Sequence, residues 1–327
     1  MSDEQGPTVR IATRASRLAL WQAHHVADLL SAAHAGITVE LVTVSTKGDR
    51  DRVRRLDAMG GTGVFTREVQ AAVLDGRADM AVHSLKDLPT RRVPGLELAA
   101  VPARGESGDA LVVSPTSWAE PGGNADDDEG PGDVLRRLAG GCVVGTGSPR
   151  RAAQLSHARD DISLEPIRGN VETRLKKVDD GECDAVVLAV AGLERLGLGD
   201  RISGVLDPAV ILPAVGQGAL GLECREDDLS TRESLQAIDD HETHLAVTAE
   251  RAMLAHLEAG CHAPVGVRTG LSEDRMWIEG VVLNQLGTVR IEARADGQVI
   301  ARQDAKSLGI QIADHLLADG AAELITG

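Results

Sequence analysis

The sequence predicts an α/β protein of two α/β units followed by a small C-terminal α+β part. Three observations predict it. Short apolar runs alternate with helical stretches twice, from Val9 to His83 and again from Cys142 to Arg195, the pattern of parallel strands joined by crossover helices. After Pro264, three alternating runs follow at hairpin spacing, and two helical stretches come after them. The 327 residues are 43% hydrophobic, a globular composition with material for two or three cores.

Val9–Thr13 reads as the first strand. Arg14-Ala15-Ser16 turns it into a helix whose apolar face is Leu18, Trp21, Val26 and Leu29. Arg14 then stands where free backbone N–H groups and the helix dipole favour anions; a solvated turn residue is the plainer alternative. Val39–Ser45 alternates as a second strand. The stretch Thr46–Gly63, closed by Met59-Gly60-Gly61-Thr62-Gly63, is long enough to form a lid. A helix over Thr66–Leu74 leads to the strand Asp79–His83, which runs into Ser84-Leu85-Lys86-Asp87-Leu88-Pro89. Ligands of open α/β sheets bind beyond the carboxyl ends of strands. Ser84, Lys86 and Asp87 place a hydroxyl, a cation and a carboxylate at such an end, although Ser84 and Asp87 could equally cap the turn. His83 reads as a core histidine with its ring satisfied.

Leu96–Val101 and Ala110–Val113 are strands, with Pro102–Asp109 crossing from one unit to the next. Pro115–Asp133 is an acidic, solvated insertion. The second unit opens at Cys142–Gly145. In Gly145-Thr146-Gly147-Ser148-Pro149-Arg150-Arg151, Ser148 is the expected N-cap and Pro149 the first helical residue. Thr146, Ser148, Arg150 and Arg151 at a helix start make an anion cradle. Arg168-Gly169-Asn170, then Arg174 at another helix start, and Arg195 after the strand Ala185–Val190 add further cations at turns. Two units presenting these arginines to each other across a cleft would hold a polycarboxylate, because each guanidinium pairs a carboxylate through two parallel bonds. Gly216-Gln217-Gly218-Ala219-Leu220-Gly221 matches a dinucleotide fingerprint but runs into the strand-like Leu222–Arg225 and opens no βαβ unit. The glycines instead mark a close backbone crossing toward the first unit. The expected domains are 8–104 with 215–238, then 108–212, then 240–327.

A helix over Glu242–Glu258 stops at Gly260, so Cys261 falls on a short loop before Pro264. A thiol there can meet solvent or a ligand, whereas most free cysteines are small buried hydrophobes. Cys142, Cys183 and Cys224 lie in or beside strands and read as core. Pro264–Val267, Met276–Leu283 and Val289–Ala295 are antiparallel strands, with helices over Ser307–Ala318 and Ala321–Ile325.

The net charge of −16 argues against a nucleic-acid partner. Arginine outnumbers lysine 29 to 5, and an acidic, lysine-poor surface is of the kind that tolerates high salt. Where arginines cluster in so acidic a chain, the expected partner is an anion. No Cys-x-x-Cys pair or Cys–His zinc spacing occurs, so neither a disulfide framework nor a metal is indicated. No apolar run approaches the ~18 residues of a membrane span. A monomer in the cytoplasm is expected.

Together these segments resemble the porphobilinogen deaminase (hydroxymethylbilane synthase) family. The likeness rests on Arg10–Ser16 with Leu18–Gln22, Ala81–Asp87, Gly145–Arg151, Arg168–Arg174, Ala189–Leu196, Leu212–Ala219 and Glu258–Gly266. It implies two periplasmic-binding-protein-like α/β domains flanking a cleft, plus the small C-terminal α+β domain. It also implies a dipyrromethane cofactor joined to Cys261 by a thioether, and four porphobilinogen molecules added in turn with loss of ammonia before hydroxymethylbilane is released. By the same resemblance Asp87 is the catalytic carboxylate. Arg14, Ser16, Lys86, Thr146, Ser148, Arg150, Arg151, Arg168, Arg174 and Arg195 hold the acetate and propionate groups, with Gln22, Ser84, Asn170 and Gln217 in support. Relatives carry lysines around the glycines of the long loop, whereas Ala58 and Thr62 stand there here. Two other readings use the same residues. A two-lobed solute-binding or ligand-sensing protein would have no need of Cys261. A cysteine hydrolase would need a base for that thiol, and the adjacent His262 has no evident orienting partner.

Overall fold

The computed structural model describes residues 7–45, 63, 66–119, 134–260 and 263–326. Their contacts divide the chain into two units, Met1–Gly105 with Gly218–Thr248 and Glu106–Gln217 with Ala249–Gly327. The long-loop expectation, the acidic run 120–133, and Cys261 with His262 lie outside the described residues.

In the first unit, β1 (Thr8–Arg14), β2 (Thr38–Val44) and β3 (Met80–Ser84) are parallel. β10 (Leu220–Arg225) runs antiparallel between β3 and β4 (Leu96–Ala100), giving the order β2-β1-β3-β10-β4. The pleat sends alternate residues to opposite faces, and each face has its own helix. Ile11, Met80 and Val82 pack with Val26 and Leu30 of α1 (Arg17–Ala33). Ala12 and Ala81 pack with Val69 and Val73 of α2 (Arg67–Leu74). With the two helices on opposite faces, the switch point falls between the carboxyl ends of β1 and β3, where ligands of such sheets bind.

The α1 face differs from the sequence expectation. Its buried residues are Gln22, Ala23, Val26 and Leu30, whereas Trp21 is 36% exposed and stacks on His25. Gln22 goes inside because its amide donates to Ser84 Oγ at 2.7 Å; a satisfied polar group buries at little cost and rotates the helix away from the most apolar stripe.

The second unit repeats the arrangement. β6 (Val143–Thr146), β7 (Ser163–Pro166) and β8 (Ala185–Ala189) are parallel, and β5 (Asp109–Val113) is antiparallel beside β8, in the order β7-β6-β8-β5-β9 with β9 at Gly204–Val205. α3 (Pro149–Ala158) covers one face through Leu155 against Val144 and Val187. α4 (Val171–Asp179) covers the other through Leu175 and Val178 against Val186. α5 (Val190–Arg195) continues directly from β8. In the first unit the antiparallel strand comes last in the chain, and in the second it comes first.

α6 (Leu229–Gln236), absent from the sequence expectation, packs Leu235 into the first core. α7 (His241–His256) runs across the boundary between the two units. The stop after α7 also differs: the residue with left-handed φ is Glu258, at 51°, and not Gly260. The backbone closes there through Leu257 N to Met253 O and Ala259 N to Leu254 O, so the helix ends at His256, two residues before the expected Glu258.

The C-terminal part is an antiparallel sheet, β11 (Val265–Ser272), β12 (Arg275–Leu283) and β13 (Arg290–Gln298), in chain order. α8 (Arg302–Ala318) lies against β12 and β13 with Leu308, Ile312 and Leu316 buried, followed by α9 (Ala321–Thr326). Gly309 lets α8 reach α7: a Cβ there would stand 2.2 Å from Ala249 O.

Candidate functional site

A cavity of about 80 Å³ opens at the β1/β3 switch point of the first unit. Arg14 ends β1. Ser16 caps α1 by accepting from Ala19 N at 3.3 Å, and Gln22 and Ser84 join across the cavity wall. Asp87 sits on a 3₁₀ turn over Leu85–Asp87. The local sequence explains its exposure. Leu85 and Leu88 are buried with Ala219 and Val101, and Leu85 N donates to Ala219 O at 3.0 Å, which pins the turn and leaves Lys86 and Asp87 facing out. Gly221 is part of this fit, since a Cβ there would meet Leu85 Cδ1 at 2.7 Å.

Behind the cavity lies a buried polar group that the sequence expectation missed in part. His83 Nε2 is 3.0 Å from Glu223 Oε2, which accepts from Gln70 Nε2 at 2.8 Å. His83 is thus buried as its place in the strand predicts, but its Nε2 makes no hydrogen bond among the described residues and only lies within ion-pair distance of Glu223. The signal for Glu223 was an acidic residue within an apolar strand flanked by Leu222 and Cys224. Thr66 Oγ1, buried in the same cavity wall, has no hydrogen-bond partner among the described residues.

In the second unit the equivalent switch point, between β6 and β8, carries the other predicted residues. Ser148 caps α3, accepting from Arg151 N at 3.5 Å, and Thr146 Oγ1 accepts from Ser148 N at 3.2 Å. Arg150 and Arg151 are buried, 4% and 5% exposed, and both face Asp109, a carboxylate no sequence motif marked. Gln217, also buried, donates to Asp109 Oδ1 at 2.9 Å and to Ser107 O at 2.7 Å. Burial alone would push the Asp109 carboxyl up, yet the two guanidiniums and the bonds from Arg151 and Gln217 hold it far below the usual carboxylate range. Burial draws the Arg150 guanidinium down, against the pull of Asp109.

Arg168 is half-buried just beyond β7, Arg174 Nε donates to Gly169 O at 2.9 Å, and Asn170 caps α4 by accepting from Thr173 N at 2.9 Å. Arg195 ends α5, its guanidinium drawn down by burial. The structure therefore brings Arg14, Ser16, Gln22, Ser84 and Asp87 together around one cavity. It places Thr146, Ser148, Arg150 and Arg151 at the start of one helix, with Gln217 joined to the two arginines through Asp109. Cys142, Cys183 and Cys224 are buried, and burial pushes the Cys224 thiol up to about 12.

Cations and hydroxyls stand at strand ends in both units, with the Asp87 carboxylate exposed at the mouth of the first unit's cavity, an α/β arrangement suited to anionic ligands. Residues 9–233 match the family model described as porphobilinogen deaminase, dipyromethane cofactor binding domain, and residues 244–318 match porphobilinogen deaminase, C-terminal domain. The chain belongs to the porphobilinogen deaminase family. It is an enzyme of tetrapyrrole synthesis in the transferase/deaminase class, and residues 9–233 are its dipyrromethane cofactor binding domain. Among solved structures it is similar to the methionine-binding protein MetQ (12% identity, 72% of this chain and 92% of that one, TM-score 0.43). It is also similar to the periplasmic VFT2 domain of Bordetella pertussis BvgS (17%, 75% and 92%, 0.39) and to YhfZ from Shigella flexneri (18%, 77% and 91%, 0.34). Among the described residues no helix is long and apolar enough to cross a membrane.

The residues present fit a dipyrromethane group. Arg14 and the nearby hydroxyls suit its acetate and propionate carboxylates, the Asp87 carboxylate suits pyrrole N–H donors, and the Thr66 hydroxyl, unpaired among the described residues, is a buried polar atom a ligand could satisfy.

Proposed function

We propose that this chain condenses four porphobilinogen molecules in turn onto a dipyrromethane primer held by Cys261, releasing ammonia at each step and finally hydroxymethylbilane. The observation that carries the reading is Asp87, an exposed carboxylate held by a buried leucine at the mouth of a cavity that also carries Arg14. When bound, the primer supplies the nucleophilic pyrrole carbon. The protein's own residues do the rest. Departure of ammonia from porphobilinogen leaves a cation delocalised over the ring, and Asp87 stabilises that charge while accepting from the pyrrole N–H. Arg14, with Ser16 beside it, holds carboxylate side chains so that successive rings stop in register. Lys86, Arg168, Arg174 and Arg195 offset the charge of a product that gains two carboxylates per ring. Cys261 needs no base partner, because it is an anchor and not a nucleophile during turnover. The cytoplasm is the expected site of the work, with the chain as a monomer.

Intact mass tests the anchor. The recombinant chain from a host that makes porphobilinogen should be heavier than its sequence by a two-pyrrole adduct, and Cys261→Ser should remove the increment. Equal masses for the two proteins would sink the assignment of Cys261.

A further inference from the structure

Arg150 and Arg151 put two positive charges, both buried, at the start of a helix whose dipole already disfavours cations. A buried charge without a counterion is costly, so the packing of this pair needs an explanation inside the protein. Asp109 is the carboxylate that faces both. Its Oδ1 accepts from Arg151 Nη2 at 2.6 Å and Nε at 3.0 Å, and its Oδ2 is 2.8 Å from Arg150 Nη1, an ion pair without a hydrogen bond. Both guanidiniums also reach backbone oxygens: Arg151 Nη1 bonds Val187 O at 3.0 Å, and Arg150 Nη1 bonds Leu212 O. Arg150 Nε, by contrast, is buried with no hydrogen-bond partner among the described residues. Among the described residues one carboxylate thus offsets two guanidiniums, and a unit of positive charge is left over.

Asp109 is itself fixed. Gln217 Nε2 reaches its Oδ1 at 2.9 Å and the backbone oxygens of Ser107 at 2.7 Å and Gly108 at 3.3 Å. The unit begins at Glu106 and this part of it ends at Gln217, so the amide ties the segment's last residue to its first few.

We infer that Asp109, locked by Gln217, is the positioning residue for Arg150 and Arg151. It fixes the plane of the Arg151 guanidinium by two hydrogen bonds and holds Arg150 by charge, so a bound carboxylate meets a positive site already desolvated and oriented. The charge left over is what makes the site attract an anion. The inference rests on the reading that these arginines serve the carboxylates of bound pyrroles.

The test uses Asp109→Ala, Asp109→Asn and Arg151→Gln, each loaded with the dipyrromethane group, beside the wild type. KM for porphobilinogen should rise about tenfold or more in both Asp109 variants while kcat stays within about threefold, because pre-set binding is lost and not the chemistry. Alanine leaves space for a small carboxylate, so formate, but not chloride at the same ionic strength, should restore the KM of Asp109→Ala and leave Asp109→Asn unchanged. Should the alanine variant not fold, KM of Asp109→Asn decides alone. A purely structural Asp109 would lower the thermal midpoint and leave KM within about twofold of the wild type, and that result overturns the inference. An unaltered KM in Arg151→Gln would instead overturn the reading of the arginines on which it rests.

Discussion

Asp87 and Asp109 are both aspartates at strand ends, and their surroundings give them opposite duties. Asp87 is exposed on a turn and free to approach a ligand, whereas Asp109 is 1% exposed and faces two arginines. Asp87→Asn keeps the shape of the turn but not the charge. It should still carry the covalent adduct by intact mass yet lose at least about 10²-fold in turnover, the scale of a lost electrostatic or acid–base partner. Wild-type turnover in Asp87→Asn would remove it from the mechanism. For Asp109 the consequence is thermodynamic. Its carboxyl is depressed in the folded state, so the stabilisation is fully present above the unfolded-state pKa of about 3.9 and fades as pH falls toward the folded value. The thermal midpoint should therefore fall below about pH 4, and more steeply in the wild type than in Asp109→Asn. Parallel acid profiles for the two would show that Asp109 does not contribute to acid sensitivity.

At the scale of elements, the caps and close contacts decide where side chains point. Asn170 Oδ1 accepts from Thr173 N at 2.9 Å and Thr173 Oγ1 at 2.6 Å, and so starts α4 between Arg168 and Arg174. Asn170→Ala should cost about 1 kcal/mol, a few degrees in thermal midpoint, and Asn170→Ser should keep most of it. Equal midpoints for the alanine and serine variants would show that the cap contributes nothing. Gly221 has a subtler task. A methyl group there would press on Leu85, the anchor of the turn that carries Lys86 and Asp87. Gly221→Ala should thus lower kcat at unchanged cofactor attachment, with a stability loss of about 1–3 kcal/mol. A variant with full kcat would show that the turn does not depend on that contact.

Across the whole molecule, the net charge of −16 coexists with arginines concentrated at strand ends and helix starts. Self-repulsion in so acidic a protein is relieved by screening. The thermal midpoint should rise as KCl is raised to about 1 M, where the Debye length is about 3 Å; a flat profile would remove the high-salt reading of the surface. The linear chain determined the two strand–helix alternations, the antiparallel C-terminal strands, and the strand-end positions of Arg14, Asp87 and Ser148, because periodicity and turn chemistry are local properties. Family likeness, equally a property of the linear chain, pointed to Cys261. Three matters were decided only by tertiary structure. Gln22 faces inward because Ser84, 62 residues away, satisfies its amide. The same strand order recurs in both units although its antiparallel strand comes from opposite ends of the sequence order. Arg150 and Arg151 turn toward Asp109, which lies about forty residues earlier in the chain. Gln22 and the two arginines share a physical reason: a buried polar group is most stable beside a partner, and which partner is near depends on which strands pair, a long-range outcome that no local window of residues contains and that the recurring strand order also reflects.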